Sequence, residues 1–289
     1  MVRPNAVQNF SKRCPRAARR RLEREKTLPR THQSHTADAV ALSFAAGIAT
    51  LFALLRWPSL NSSRSRLLFA VTITLVFALA SWLTHGVNGS GGWAGAGVAF
   101  VMAATDPRLF AVLLVVFAVT LAATRIGRSR KEQLHVAESK RGRSASQVMA
   151  NVGVAALIVT VCPPPLRLLA LASLAEVAAD TSSSETGQAF PGRTVLITNW
   201  KPVPAGLDGG ISVNGTMAAC VAALVVALTA RFLGVISDRH AVIVAACGIL
   251  GMLVDSVLGA VFERRGYLNN DLVNLFGTAS AAGLAWLMM

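Results

Sequence analysis

The sequence predicts an all-α protein, a polytopic bundle of transmembrane helices, on three observations. Of its 289 residues, 53% are hydrophobic and 15% charged, and the mean hydropathy is +0.53; soluble domains average about 25% charged residues. The charges are clustered, with none between Val40 and Leu55. Apolar runs recur from about residue 37 to the end of the chain. This composition excludes disorder over most of the chain, a disulfide scaffold, a collagen-like fibre and an ordinary soluble enzyme.

The first 35 residues stand apart. They hold 10 of the 28 Lys and Arg against two acids, Glu23 and Glu25. Basic, Pro-containing and poor in apolar residues, they read as a disordered cytoplasmic tail held near anionic lipid. No small-residue cleavage site follows the first apolar run, and the two acids count against an organelle transit peptide. Residues 36–289 are expected to form a single helical membrane domain. Most of the net charge of +14 belongs to the tail, so no nucleic-acid partner is expected. Cys14, Cys162, Cys220 and Cys247 have no CxxC spacing. Three lie in apolar stretches, where Cys behaves as a small hydrophobe.

About nine apolar segments follow, near 37–56, 67–84, 93–105, 109–124, 147–162, 168–179, 213–235, 240–262 and 271–289. A full crossing needs about 20 residues, with about 17 a usual minimum. The third to sixth are short and suggest broken or re-entrant helices, which survive in a membrane only under a cover of protein or beside a water-filled cavity. The basic residues set the orientation. With the N-terminus cytoplasmic and every segment crossing, 21 basic residues fall inside. Seven fall outside: Arg56, Arg64, Arg66, Arg108, Arg167, Arg231 and Arg239. Trp57, Trp82, Trp93 and Trp286 lie near segment ends, where indole prefers to sit.

This topology gathers the unusual stretches on the cytoplasmic side: 85–98 with six glycines, the basic loop 125–146, and residues 180–216 and 255–274. Segments three, five, seven and nine then begin there, behind N-cap candidates Ser90, Ser144 or Ser146, Ser212 or Asn214, and Asn270 or Asp271. Helix N-termini suit phosphate. Gly206, Gly209, Gly210 and Gly215 permit close backbone approach to an anion, and Lys140, Arg141, Arg143 and Lys201 add charge. The same residues also fit ordinary turns and the positive-inside rule.

The acids are sharper. Glu176, Asp180 and Asp255 lie in or at the ends of apolar segments, with Glu185 close behind. A carboxylate inside a membrane costs about 2.5–3.5 kcal/mol on insertion scales, so it needs a partner or a cavity. Two readings stay open: polar contacts between helices, or carboxylates that hold a divalent cation against a nucleotide phosphate. His85, His135 and His240 lack metal-ligand spacing, and His85 reads best as a capping or interfacial side chain. There is no Walker A loop and no protein-kinase glycine loop.

Five ordered stretches resemble a known family: SASQVMANVG (144–153), AADTSSSETG (178–187), ITNWKPVPAGLDGGISVNGT (197–216), GMLVDSVLGA (251–260) and NNDLVNLFG (269–277). They are similar to the integral membrane proteins of domain-of-unknown-function family 92, which includes transmembrane protein 19 and plant phytyl-phosphate kinase. Asp180, Thr181, Ser184, Glu185 and Gly187 fit the family's acidic box, with Ser182 in place of its Trp. Pro204, Gly206, Gly209, Gly210 and Ser212 fit its glycine box, with Asp208 where Asn is more usual. Asp255, Ser256, Gly259 and Ala260 fit a third. The resemblance covers about 85–289.

The resemblance implies a multi-pass protein of the cell membrane and, through the plant member, a CTP-dependent kinase that turns an isoprenoid monophosphate into its diphosphate. Membrane lipid and an isoprenoid phosphate would then be its partners, CTP or another nucleotide its co-substrate, and Mg²⁺ its cofactor. Asp180, Glu185 and Asp255 are the expected catalytic and metal-holding carboxylates. Lys140, Arg141, Lys201, Gly206, Gly209, Gly210, Ser212, Asn151, Asn270 and Asn274 are the expected phosphate and nucleotide contacts. An ion-coupled transporter and a lipid-handling or assembly protein without chemistry remain alternatives.

Overall fold

The computed structural model describes residues 30–61, 64–133, 142–190 and 192–289. The chain divides into two compact units, Met1–Ala37 and Asp38–Met289. Most of the expected basic tail, with Cys14, lies outside the described residues, and helix already begins at Arg30. The helices are α1 (Arg30–Asn61), α2 (Arg64–Leu83), α3 (Gly89–Thr105), α4 (Pro107–Arg125), the short α5 (Arg128–Gln133), α6 (Ala145–Val161), α7 (Arg167–Ala189), α8 (Val213–Phe232), α9 (Asp238–Val261) and α10 (Asn270–Leu287). Two short strands, β1 (Thr194–Leu196) and β2 (Gly210–Ser212), pair antiparallel with Thr194 opposite Ser212. Among the described residues this pair and two isolated bridges, Val87 with Arg143 and Val195 with Pro202, are the departures from all-α.

All nine apolar segments are helical. Among the described residues, five helices are long and apolar enough to cross a bilayer: His35–Arg56, Arg64–Leu83, Pro107–Arg125, Val213–Phe232 and Asp238–Arg265. Nine full crossings are therefore not shown. The first helix is longer at both ends than the expected 37–56, and two further boundaries move near the cavities. The third segment starts at Gly89 rather than 93, because its glycines meet close neighbours: a Cβ on Gly91 would stand 3.1 Å from the Arg143 carbonyl carbon. The sixth runs on through DTSSSETGQA to Ala189. That stretch reads as a loop by composition, but its polar side chains border a cavity, and tertiary context overrides propensity.

The caps follow local chemistry. Ser144 caps α6 in a reciprocal capping box with Gln147, and Ser212 caps α8 by accepting from Gly215 N–H at 3.2 Å. Two caps fall one or two residues before the expected ones. Asn88 rather than Ser90 caps α3, and Asn269 rather than Asn270 or Asp271 caps α10. Ser90 instead donates to Asp38 Oδ2 at 2.8 Å, and Asp38 Oδ1 accepts from Ser146 N–H, tying α1 to the starts of α3 and α6.

The hub is α7, which packs against α4, α6, α8, α9 and α10. Every residue from Leu168 to Ala179 is buried, as expected of a stretch that is apolar on all sides but for Ser173 and Glu176. Small residues let its neighbours approach: a Cβ on Gly248 of α9 would stand 2.8 Å from Ala175 Cβ.

At the Arg167 end of α7 sits a closed ion cluster. Asp106, between α3 and α4, accepts from Arg108 Nε at 3.0 Å, Arg108 Nη2 at 2.8 Å and Arg167 Nη1 at 2.9 Å. Arg108 Nη1 also donates to the Gly234 carbonyl at 3.1 Å, in the α8–α9 turn. Burial alone would raise the Asp106 carboxyl, but the hydrogen bonds and charges of Arg108 and Arg167 outweigh it and hold it below the ordinary carboxylate range. Arg231 pairs likewise with Asp238. Among the described ion pairs, Arg108 and Arg167 of the seven arginines expected outside share Asp106, and Arg231 has Asp238.

Candidate functional site

The other end of α7 borders a polar cavity of about 320 Å³. Six segments build it, β1 through Thr194 and five more. The start of α6 supplies Arg143, Gln147 and Asn151; α7 supplies Asp180, Ser184 and Glu185; the turn before β2 supplies Gly206 to Gly210, then Ser212. The end of α9 supplies Asp255, Ser256, Gly259 and, just beyond, Glu263; α10 supplies Asn270 and Asn274.

The sequence boxes meet here for a steric reason. Gly209 has φ +75°, and a Cβ on it would stand 2.6 Å from the Ala260 backbone nitrogen. Gly259 is close in return, 3.1 Å from Gly209 N on the same test. A Cβ on Gly187 would stand 3.0 Å from Ser212 Oγ, and one on Gly215 would stand 2.7 Å from the Ser183 carbonyl oxygen. The glycine box therefore seats directly on α9, and α8 starts directly against α7. The Gly210 N–H donates to the Leu207 carbonyl at 2.8 Å, so that amide closes the turn rather than facing an anion.

Of the expected site residues, Asp180, Glu185, Asp255, Asn151, Gly206, Gly209, Gly210, Ser212, Asn270 and Asn274 border this one cavity. Lys201 does not. It is exposed on the turn after β1, where its carbonyl accepts from Leu196 N–H. Lys140 and Arg141 lie outside the described residues. The cavity adds Arg143, Asp208 and Glu263.

Charge here is unbalanced. Among the described lining residues five are acidic and only Arg143 is basic. Glu185 is matched separately by Lys131 of α5, whose side chain is 1% exposed. Lys131 Nζ donates to Glu185 Oε2 at 2.5 Å and to the Ala123 and Thr124 carbonyls at the end of α4. No sequence signal separates Lys131 from the other cations of its loop.

Below the cavity the acids crowd further. Glu176, 1% exposed, is one turn before Asp180 on α7. Its Oε1 and Asp255 Oδ2 are buried without a hydrogen-bond partner. Both face Gly277 of α10: a Cβ there would stand 2.6 Å from Glu176 Oε1 and 3.1 Å from Asp255 Oδ2. Oxygen-rich donor sets suit Mg²⁺, which takes one or two protein carboxylates and fills its shell with water and phosphate oxygens. The orphaned Asp255 oxygen fits that use. No group of three or more His, Cys, Asp or Glu poised to hold a metal occurs among the described residues, so a fully protein-made cage does not fit.

A second, apolar cavity of about 490 Å³ adjoins the first. It runs between α2, α3, α4 and α6, and it shares Arg143, Gln147 and Asn151 with the polar one. His85 stands at this apolar cavity with φ +56° and its Nδ1 3.1 Å from the Leu83 carbonyl oxygen.

The family described as Integral membrane protein DUF92 matches residues 72–282, which takes in both cavities. The chain belongs to this family. It is 34% identical over 197 residues to the uncharacterized membrane protein sll0875 of Synechocystis, covering 64% of this chain and 75% of that one. It is 30% identical over 233 residues to the chloroplastic protein VTE6 of Arabidopsis thaliana, covering 74% and 69%. It is 31% identical over 238 residues to protein PGR of the same plant, covering 72% and 82%. No solved structure matches. Membership of this family and the apolar helices make this DUF92 protein a multi-pass membrane protein.

Proposed function

We propose that this protein transfers a phosphoryl group from a nucleoside triphosphate, CTP by family resemblance, to an isoprenoid monophosphate at the cytoplasmic membrane face. One observation carries the reading: a polar and an apolar cavity meet at Arg143, Gln147 and Asn151. A molecule that fills both has a polar head and a hydrocarbon body, and an anionic head enters the acid-lined part only together with a cation. At about 30 Å³ per water-sized atom, the polar cavity of about 320 Å³ has room for phosphates but not for a whole nucleotide. Sugar and base then lie outside it.

In this reaction an oxygen of the lipid phosphate attacks the γ-phosphorus of the nucleotide. The bond from that phosphorus to the β–γ bridging oxygen breaks, giving the lipid diphosphate and the nucleoside diphosphate. The attacking oxygen is already anionic, so no side chain has to remove a proton. The work left to the protein is positioning and charge neutralisation. Arg143 at the seam supplies positive charge for the lipid phosphate. Asp180, Asp255 and Glu263 repel bare phosphate, so phosphates enter as a cation complex. Asp180 and Asp255 are the residues that would hold Mg²⁺, which when bound offsets the charge on the transferring group. Glu185, already matched by Lys131, is a positioning residue rather than a third ligand.

The test uses protein in nanodiscs with CTP or ATP, with and without Mg²⁺, and wild type beside Asp180→Asn. Mg²⁺-dependent nucleotide binding lost in the variant, with diphosphate formed from prenyl monophosphates by the wild type, is expected. Folded protein that binds neither nucleotide overturns the reading. A second reading, an ion-coupled carrier, is favoured by the unpartnered oxygens of Glu176 and Asp255. Cation-dependent uptake into liposomes, lost in Asp255→Asn and without diphosphate formation, selects it.

A further inference from the structure

The apolar cavity changes character along its length. Helices α2 and α4 both reach it, and on α4 its lining residues recur every three or four positions from Leu113 to Arg125. That stretch is about 18 Å at 1.5 Å per residue. The end near the polar cavity is lined by Arg125, Arg128, Arg143 and His85 and by the bare backbone of Gly91 and Gly92. The far end is lined by Phe77, Val98, Leu113 and Val177. Each of these is the deepest lining residue of its own helix, counted from the helix end at the basic mouth, although α2, α3, α4 and α7 do not all run in the same direction.

Phe77 is held in place. Its ring makes edge-on contacts with Phe110 and Phe117, at centroid distances of 5.6 and 5.2 Å, an arrangement aromatic rings favour. Gly95, part-way down, faces open space: a Cβ there would meet nothing nearer than Val148 Cγ1 at 4.0 Å. The passage therefore has a fixed aromatic floor and a wall made narrow or wide by one small residue.

We infer that the floor at Phe77, Val98 and Leu113 sets the length of hydrocarbon chain this protein accepts, with Arg143 fixing the phosphate end. The ligand class comes from the kinase reading above, and the gauge comes from the shape of the cavity. At about 30 Å³ per water-sized atom, the cavity of about 490 Å³ takes a chain of roughly fifteen carbons.

The test is equilibrium binding to the full chain in nanodiscs, using prenyl monophosphates of ten, fifteen and twenty carbons, the matching alcohols and inorganic phosphate. Wild type should prefer the middle length and bind it more tightly than its alcohol or inorganic phosphate. Phe77→Ala removes the floor and should move the preference to the longer chain. Gly95→Val narrows the passage from a position where a Cβ meets nothing nearer than 4.0 Å, and should move it to the shorter one. Each shift should change the ratio of dissociation constants by about fivefold or more, given the cost of leaving several methylenes outside an apolar site. If Phe77→Ala does not fold, Gly95→Val decides alone. A wild-type length preference retained in the folded variants overturns the gauge while leaving the kinase reading intact. A wild type that binds none of the monophosphates overturns both.

Discussion

The two ends of α7 bury charge in opposite ways. At the Arg167 end, Asp106 has two arginine partners and a backbone N–H, and one of those arginines ties off the Gly234 carbonyl as well. At the Asp180 end, about 20 Å along the helix by its rise per residue, acids outnumber cations, and oxygens of Glu176 and Asp255 have no partner. A cluster whose carboxylate has all its partners stabilises the turns it joins. A cluster with charge left over is costly to build unless something else completes it. The first end is a fastening and the second is a seat.

Lys131 gives the sharpest way to break that contrast, because it is a matched cation at the seat end. Lys131→Met leaves Glu185 buried and alone, and stability should fall by about 3–5 kcal/mol, read from the denaturation midpoint in detergent. Next come the seat's own acids. Asp180→Asn and Asp255→Asn should each lower the rate of lipid diphosphate formation by about 10²–10³-fold, the usual cost of one preorganised charge. The melting temperature should hold or rise, since like-charge crowding is relieved. A fall in both together would mean that these acids only join helices.

At the fastening end the signs reverse. Asp106→Ala removes the α4 N-cap and leaves Arg108 and Arg167 without their acceptor, a loss of about 2–4 kcal/mol. The turnover of each folded molecule should be unchanged, and assays normalised to folded protein check this. The smallest effect is acid sensitivity. The Asp106 carboxyl is held below its ordinary range in the folded protein, so its contribution is complete above the ordinary carboxylate pKa of about 4 and fades as pH falls through the lower folded value. Wild type should lose stability on acidification below that point, and Asp106→Ala should show a shallower loss over the same pH range.

Much of the fold was legible in the sequence, because charge-free apolar runs have few destinations other than helices in a membrane. Asp180, Asp255 and the glycine box were legible as unusual residues, since acids inside apolar segments and clustered glycines need a reason. Their meeting was not legible, because it depends on contacts such as Gly209 against Ala260 that no local pattern encodes. The helical state of Asp180 to Ala189 was hidden by a Ser- and Thr-rich composition that signals a loop until a cavity claims those side chains. Lys201 shows the converse: a cation beside a glycine box that the chain turns away from the cavity. Arg143 carried a usable signal, standing next to the Ser144 cap of α6, whereas Lys131 carried none.

On the kinase reading proposed above, the seam at Arg143 separates two jobs that share one ligand. The apolar passage draws on α2, α3 and α4, while the acids sit on α7, after β1 and on α9. The start of α6 serves both, and α7 adds only Val177 to the passage. A lineage can therefore exchange one lipid for another through a handful of changes in the early helices, without touching the residues that handle phosphate. On that reading, inheritance of the reaction and drift of the substrate are uncoupled by architecture, so relatives with the same boxes need not share the same lipid.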